Sequence, residues 1–290
     1  MADATSIRRL PGGVTAATDG GVLVVIAHPD DEVFVSGTIC LCAEIGLPVD
    51  ILSVTAGESG GAGAVEQVPG QGVADIRRAE LAQSAAALGA GEPVFLGQAD
   101  VADPAAAGPE AWNTTTIIGE LTRLIRCRRP VVILTHGPLG GYGHAAHSLT
   151  YRCVAEAVAQ SAFQGALFSF CARVRGAFFS WHFDQDSCVR IDARAFQARR
   201  VASLSCHRSQ RDYFLQPYFP RTGRKRLSAL FGYALAFTAA GRKRVPIATP
   251  ERFFDRFPTE GLALQQTPAD GRPHFFLECF ADDHRVQIDR

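Results

Sequence analysis

The first group of residues that could do chemistry is the segment AHPDDE, residues 27–32. His28 and Asp31 lie three positions apart, and an imidazole and a carboxylate at this spacing can reach the same small divalent ion. Pro29 restricts the backbone between them. The spare carboxylate, Asp30, would then be available as a base.

The second group is GGYGHAAH, residues 140–147. If a helix begins near His144, then His144 and His147 lie on one face of it, because they are three positions apart on a period of 3.6. A catalytic zinc site typically has two histidines, one carboxylate and an open position for water. The same ligands could also bind iron or cobalt. Either segment alone could simply cap a helix. Their occurrence together favours a metal site.

Both segments directly follow apolar runs that predict strands, and ligands in an open α/β sheet bind beyond the carboxyl ends of its strands. Such runs occupy residues 21–27, 49–54, 93–96 and 131–135. Helical spacing of apolar residues occupies about 33–45, 74–88, 113–127 and 144–159. The alternation predicts an α/β fold with a Rossmann-like, mostly parallel sheet, buried strands and helices on both faces.

The alternation weakens after about residue 162, where we expect an added C-terminal elaboration that contains β-strands. Strands are predicted in LFSFCARVRGAFFSW (167–181), SCVRIDA (187–193) and HFFLECF (274–280), and a helix at 194–206. We expect a single domain over residues 1–290, with its core at about 20–212 and with residues 213–290 closing the pocket.

Composition excludes several classes of protein. The 29 Lys and Arg residues balance the 29 Asp and Glu residues, so no global field attracts nucleic acid. The N-terminal residues lack the apolar stretch of a secretory signal, so we expect a cytoplasmic protein. The apolar run Leu227–Ala240 is shorter than the ~20 residues that span a bilayer, so we expect no membrane span. The eight cysteines form no CxxC pair and are expected to be reduced and structural.

The glycine-rich segment at residues 55–72 follows the second predicted strand. It cannot be aligned with a GxGxxG motif after the first strand, so a nicotinamide or flavin enzyme is not expected. We expect instead a loop at the carboxyl end of the sheet that helps to determine specificity.

Five separated motifs, in order, resemble the LmbE-like (PIG-L) family of N-acetylglucosaminyl-phosphatidylinositol de-N-acetylases and related mycothiol- and bacillithiol-pathway deacetylases. They are AHPDDE, TAGESG, IRRAELAQSAAALG, THGPLGGYGHAAH and LSCHRSQ, within about residues 20–212. The resemblance implies a zinc-dependent hydrolase that removes an N-acyl group, first of all acetyl, from an amino sugar or glycoconjugate. It implies one zinc ion per chain, with His28, Asp31 and His147 as ligands.

The same resemblance implies three catalytic residues. Asp30 would be the general base, His144 the imidazolium that stabilises the oxyanion or protonates the leaving amine, and Tyr142 the group that polarises the carbonyl. Much of the family has HPDH where this chain has Ala145 and Ala146. The carboxylate that would orient His144 is therefore missing, and the sequence names no replacement.

Five further residues are expected to support the site. Glu58 and Arg77 are candidate substrate contacts, with loop support and a buried ion pair, respectively, as the structural alternatives. Glu32 is expected to cap a helix or support its loop, with a direct contact to the substrate as the alternative. His136 is expected to line the pocket unless it binds the metal, and His207 to hold the site residues in place without touching the metal or substrate.

The family resemblance does not explain residues 221–245, where RTGRKR and GRKR flank an apolar run. This segment could be a core-packed helix with solvated ends, or a lid that meets a phosphate-bearing or lipid-linked substrate. Two other functions stay open: an amidase of a larger conjugate or acylated natural product, and a binding protein that keeps the metal without turnover. The retained Asp30 argues against the second.

Overall fold

The computed structural model of the protein describes residues 20–60, 72–101, 103–108, 110–141, 143–172, 186–215, 249–255, 257–266, 280 and 283–288. Several predictions concern residues outside this description: the N-terminal segment, most of the glycine-rich loop, Tyr142, the segment 221–245, and the strand at 274–280 apart from its last residue.

Eight strands form one sheet in the order β3-β2-β1-β4-β5-β7-β6-β8. They are β1 (Val22–Ile26), β2 (Val49–Thr55), β3 (Val94–Gln98), β4 (Val132–Thr135), β5 (Ala166–Phe170), β6 (Val189–Asp192), β7 (Thr259–Gln266) and β8 (Val286–Ile288). The first five strands pair in parallel, and β7 pairs antiparallel with both β5 and β6.

The described helices connect the parallel strands or cover the sheet. They are α1 (Ser36–Glu44), α2 (Val73–Leu88), α3 (Pro104–Ala107), α4 (Thr114–Arg128), α5 (Ala145–Ser161), α6 (Gln197–Cys206), α7 (Arg211–Phe214) and α8 (Pro250–Asp255). A 3-10 turn, Asp31–Val35, precedes α1. Each predicted helix of the first half is present within a few residues of its expected bounds.

Strand β1 shows why the sheet is covered on both faces. All five of its residues are buried, and they alternate between two apolar clusters. Val24 faces the cluster that contains residues of α1 and α2, whereas Val25 faces the cluster built from α4 and α5. The α/β fold predicted from the alternating elements is thus confirmed.

Two strands differ from expectation. β3 was expected to be covered on both faces, but it is the edge of the sheet and Val94 is 43% exposed. β7 was not predicted, because TEGLALQQ has no clear alternation and its position depends on pairing with two strands far away in the chain.

The antiparallel part of the sheet is attached to the start of α1, next to the AHPDDE segment. The buried carboxylate of Glu260, on β7, accepts hydrogen bonds from the backbone N–H groups of Gly37 (2.7 Å) and Thr38 (2.8 Å). It thereby caps the helix N-terminus. Arg200 of α6 lies 3.3 Å from the same carboxylate and is itself buried.

Within the described residues, no helix combines the length and the apolar character needed to cross a bilayer.

Candidate metal centre and catalytic residues

The chemistry-bearing residues meet at the carboxyl ends of two neighbouring strands. His28 follows β1, His136 follows β4, and these strands are paired in parallel. His147 lies in the first turn of α5, which starts after the loop that follows β4. The side chains of all three are buried.

Asp31 lies between two of the histidines that the sequence singled out. Its Oδ2 atom is 3.4 Å from Nδ1 of His28, and its Oδ1 atom is 3.2 Å from Nε2 of His147. Oδ2 also accepts the backbone N–H of His28 at 2.8 Å, which fixes the carboxylate relative to the strand end. The ring of His144 packs beside both histidines, with centroids 4.5 Å from His147 and 5.0 Å from His28.

This donor set suits a divalent metal. Two groups of side chains have ligand atoms within 4.8 Å of one another: His28, His144 and His147, and Asp31, His136 and His147. Imidazole nitrogens and a carboxylate, buried together, match the preferences of zinc. Neither group is the predicted set of His28, Asp31 and His147, whose members are divided between the two groups, and His147 belongs to both.

His136 makes contacts that favour a lining role over metal ligation. Its Nε2 atom accepts the backbone N–H of Ala27 at 3.0 Å, so the lone pair of that nitrogen is already used. Its ring stacks on His147 with centroids 3.9 Å apart and planes 11° apart. Burial, assisted by His147, lowers the pKa of His136 to about 4, which keeps the ring neutral.

Asp30 projects from a backbone that is unusual for a residue other than glycine, with φ at 110° and ψ at −18°. Its Oδ2 atom is 3.0 Å from Nη2 of Arg77. Burial raises the pKa of Asp30 to about 7, and the Arg77 guanidinium opposes this shift. Of the two alternatives for Arg77, the structure shows the buried ion pair.

Arg77 also joins two loops. Nη1 donates to the carbonyl of Gly57 at 2.6 Å, and Nη2 donates to the carbonyl of Pro29. Gly57 has φ at +68°, and a Cβ added there or at Gly60 would overlap Nη1 of Arg77. The absence of side chains at these glycines therefore allows the guanidinium to approach the loop after β2.

Glu32 lies behind Asp30 and is fully buried. Its Oε2 atom accepts the backbone N–H of Asp30 at 3.0 Å, and its Oε1 atom accepts the hydroxyl of Ser84 at 2.6 Å and contacts Nε2 of His207. Burial alone would raise the pKa of Glu32, but the His207 imidazole and the Ser84 hydroxyl hold it below its usual value. His207 thus lies in a supporting position, away from the histidine cluster.

Asp100 is a site residue that the sequence analysis missed. Its Oδ1 atom is 3.3 Å from Nε2 of His28, and its Oδ2 atom accepts the backbone N–H of Ser59 at 3.1 Å. Glu58 is exposed and accepts the backbone N–H of Asp100 at 2.9 Å, so it ties two loops together. Its position could have indicated a site residue, because Asp100 comes just after β3, at the same edge of the sheet as the two motifs.

His144 is the N-cap residue of α5, and the two alanines that follow it leave it without the carboxylate of HPDH. Ala146 is buried in the apolar cluster of α4 and α5. Burial, together with the neighbouring imidazoles, lowers the pKa of His144 to about 2, and Asp31 opposes this shift. The surroundings therefore favour a neutral ring, in contrast to the imidazolium expected by resemblance.

The sequence is similar to known proteins of one family. Residues 23–158 match the model of the PIG-L family, described as GlcNAc-PI de-N-acetylase. A 1D-myo-inositol 2-acetamido-2-deoxy-alpha-D-glucopyranoside deacetylase from Acidothermus cellulolyticus is 32% identical over 65% of this chain and 79% of its own length. The chain belongs to the PIG-L family.

A second relative matches over a shorter stretch, and a solved structure shares the fold. The enzyme of the same name from Rhodococcus opacus is 36% identical, and the match spans 47% of this chain and about half (52%) of the relative. Among solved structures, the N,N'-diacetylchitobiose deacetylase from Pyrococcus horikoshii has a TM-score of 0.55 at 19% identity, covering 90% of this chain and 85% of that protein. At this identity the likeness concerns the fold alone.

Proposed function

We propose that the protein is a zinc-dependent N-deacetylase that hydrolyses the acetamide of an amino sugar or a small glycoconjugate. The observation that carries the proposal is the contact of Asp31 with both His28 and His147, with Asp30 next in the chain. The two named relatives are deacetylases of a 2-acetamido sugar joined to inositol, which supports this class of substrate.

His28, Asp31 and His147 would hold the metal, because Asp31 lies within 3.4 Å of both imidazoles. Asp31 also lies 3.5 Å from Nε2 of His136, but that nitrogen already accepts the backbone N–H of Ala27. Zinc bound there would polarise the amide carbonyl and lower the pKa of a water molecule to ~7. Another divalent ion could meet the same donor set.

Asp30 would accept the proton of the attacking water. Arg77 binds Oδ2 of this carboxylate, so Oδ1 would be the accepting atom. His144 packs beside the two proposed histidine ligands, where the N–H of its neutral ring would donate a hydrogen bond to the carbonyl oxygen as negative charge develops there. The proton that Asp30 takes from the water would pass to the leaving nitrogen as the C–N bond breaks. Tyr142, two positions earlier, would polarise the carbonyl.

The test is acetate release from N-acetylglucosamine and a set of N-acetylglucosaminides by the zinc-reconstituted protein. We expect Asp30→Asn to lower kcat by about 10²- to 10⁴-fold, the usual contribution of general base catalysis, without loss of zinc. Asp75→Ala, an exposed carboxylate on α2, is the matched control and should leave kcat unchanged.

Each other outcome has a definite meaning. Acetate release that does not depend on Asp30 would refute the base. Release only from larger acylated conjugates would assign the amidase function. Zinc binding without turnover of any amide in a broad panel would refute the hydrolase and leave the binding protein.

A further inference from the structure

The backbone at Asp30 needs support from its surroundings. A non-glycine residue with φ at 110° is strained, and such conformations persist when neighbouring groups hold them. Asp30 is also the N-cap residue of the 3-10 turn that starts at Asp31, yet its own side chain makes no capping hydrogen bond. Its carboxylate is directed to Arg77 instead.

Two buried side chains of opposite charge hold the two ends of one peptide unit. The carbonyl of Pro29 and the N–H of Asp30 belong to the same planar peptide group. Nη2 of Arg77 donates to that carbonyl, and Oε2 of Glu32 accepts that N–H at 3.0 Å. The plane of the Pro29–Asp30 peptide is therefore fixed from both sides, and φ of Asp30 is fixed with it.

The Glu32 side of this arrangement is itself anchored. Its carboxylate is completely buried, and the oxygen that does not touch Asp30 is bound by Ser84 of α2 and by His207, which follows α6. Three separate parts of the chain thus determine where Oε2 lies. Charge-assisted hydrogen bonds of this kind are stronger than neutral ones.

We propose that Glu32 is a positioning residue: together with Arg77 it orients the Pro29–Asp30 peptide and so directs the Asp30 carboxylate toward the reacting water. This inference rests on the base role of Asp30 in the proposed function. Glu32 reaches no reacting atom and acts through Asp30 alone.

The test is a double-mutant cycle on acetate release. Glu32→Ala should lower kcat by about 10- to 100-fold, in line with the cost of misplacing a catalytic group by about 1 Å. KM should change by less than about threefold and one equivalent of zinc should remain, since the acetamide and the metal are held elsewhere. In the Asp30→Ala background, Glu32→Ala should add no further loss, because Glu32 has no other route to the reaction.

Two further substitutions separate positioning from charge. Glu32→Gln should keep kcat within about fivefold, since the amide oxygen can still accept the N–H of Asp30. Glu32→Asp keeps the charge but withdraws the oxygen by one methylene group, and should lower kcat as Glu32→Ala does. It also serves as the replacement if Glu32→Ala does not fold.

Glu80 provides a matched control on the same side of α2. Its buried carboxylate accepts the backbone N–H of Ser209 at 2.8 Å and the Ser209 hydroxyl at 2.6 Å, and no hydrogen bond joins it to Asp30 in the described part of the chain. Glu80→Ala should lower the unfolding temperature while kcat stays as in the wild type. An equal loss of kcat in Glu80→Ala would mean that any buried carboxylate has this effect, and would overturn the inference.

The remaining outcomes are also decisive. The positioning role would be overturned if Glu32→Ala lowered kcat in the Asp30→Ala background as much as in the wild type. A wild-type kcat in Glu32→Asp would overturn it as well. If the wild type released no acetate, the proposed function would fail while the positioning claim could still be judged from crystal structures. A positive φ at Asp30 that persisted in Glu32→Asp would then refute it, and a change of φ to the usual negative range would support it.

Discussion

The backbone N–H of Ala27 donates a hydrogen bond to Nε2 of His136 across the ends of two neighbouring strands, at 3.0 Å. The bond joins the two strands beyond their last paired residues, Val24 and Leu134, and its acceptor is a side chain instead of a backbone carbonyl. It also gives His136 a defined tautomer, with the proton on Nδ1, because Nε2 must carry the lone pair. His136 nevertheless stays in contact with the cluster, because its ring stacks on His147 and its Nε2 atom lies 3.5 Å from Oδ2 of Asp31.

Replacement of His136 should leave the metal bound. His136→Phe keeps a ring against His147 but removes the acceptor of a buried N–H, so we expect a loss of about 1–3 kcal/mol in the free energy of unfolding. Zinc measured by elemental analysis should stay at one equivalent per chain. The matched variant His147→Phe should lose it. Loss of zinc in His136→Phe at a temperature where the protein is folded would instead place His136 among the ligands.

A methyl group at Gly57 should disturb activity more than one at Gly97. Both residues have positive φ, so alanine costs about 1–2 kcal/mol at either position. At Gly97 the space is open, whereas at Gly57 the added Cβ overlaps Nη1 of Arg77. Because Arg77 holds Asp30, Gly57→Ala should also lower kcat by about tenfold or more. Equal kcat values for the two variants would show that the guanidinium adapts without consequence.

Glu260→Ala, which removes the carboxylate, should strongly lower the free energy of unfolding. It leaves Arg200 buried without its charge partner and α1 without its cap, and breaking a buried pair in this way costs about 3–5 kcal/mol. Urea unfolding followed by circular dichroism measures the loss. Arg194→Ala removes a solvent-exposed partner of Asp192 and should leave the midpoint unchanged. Similar midpoints for both variants would show that the buried pair contributes little.

The cysteines should differ strongly in reactivity. Burial raises the pKa of Cys40 to about 12 and that of Cys153 to about 11, so few of these thiols ionise near pH 8. Cys127 is exposed and should react first with iodoacetamide in a time course read by peptide mass spectrometry. In urea the three rates should converge. Native labelling of Cys40 as fast as that of Cys127 would contradict its burial.

The location of the site could be predicted from the sequence because it depends on a general property of parallel sheets. His28 and His147 each follow a buried apolar strand, and the carboxyl ends of parallel strands lie at one edge. The partners of Asp100 and His136 could not be predicted in the same way. Which of their atoms meets which partner depends on loop length and on rotamers, which leave no periodic pattern in the sequence.

The contacts that hold Asp30 in place could not be predicted from the sequence either, because they join distant parts of the chain. Glu32 and His207 are 175 positions apart, and their contact depends on the packing of α6 beside the start of α1. Supporting roles for both residues are expected from their positions in the motifs, but their contact with each other is not. The helix predicted from residue 33 begins instead as a 3-10 turn, with α1 starting at Ser36, because the backbone first completes the turn that presents Asp30 and Asp31.

The insertion of β7 between β5 and β6 has a consequence for synthesis on the ribosome. β5 and β6 are complete by residue 192, but the strand that separates them begins at Thr259, 67 residues later. Until then the edge of β5 is open and the N-terminus of α1 lacks Glu260. A nascent chain therefore carries an unpaired strand edge while residues 171–258 are made, and a fragment that ended before β7 would keep that edge permanently and be prone to aggregate.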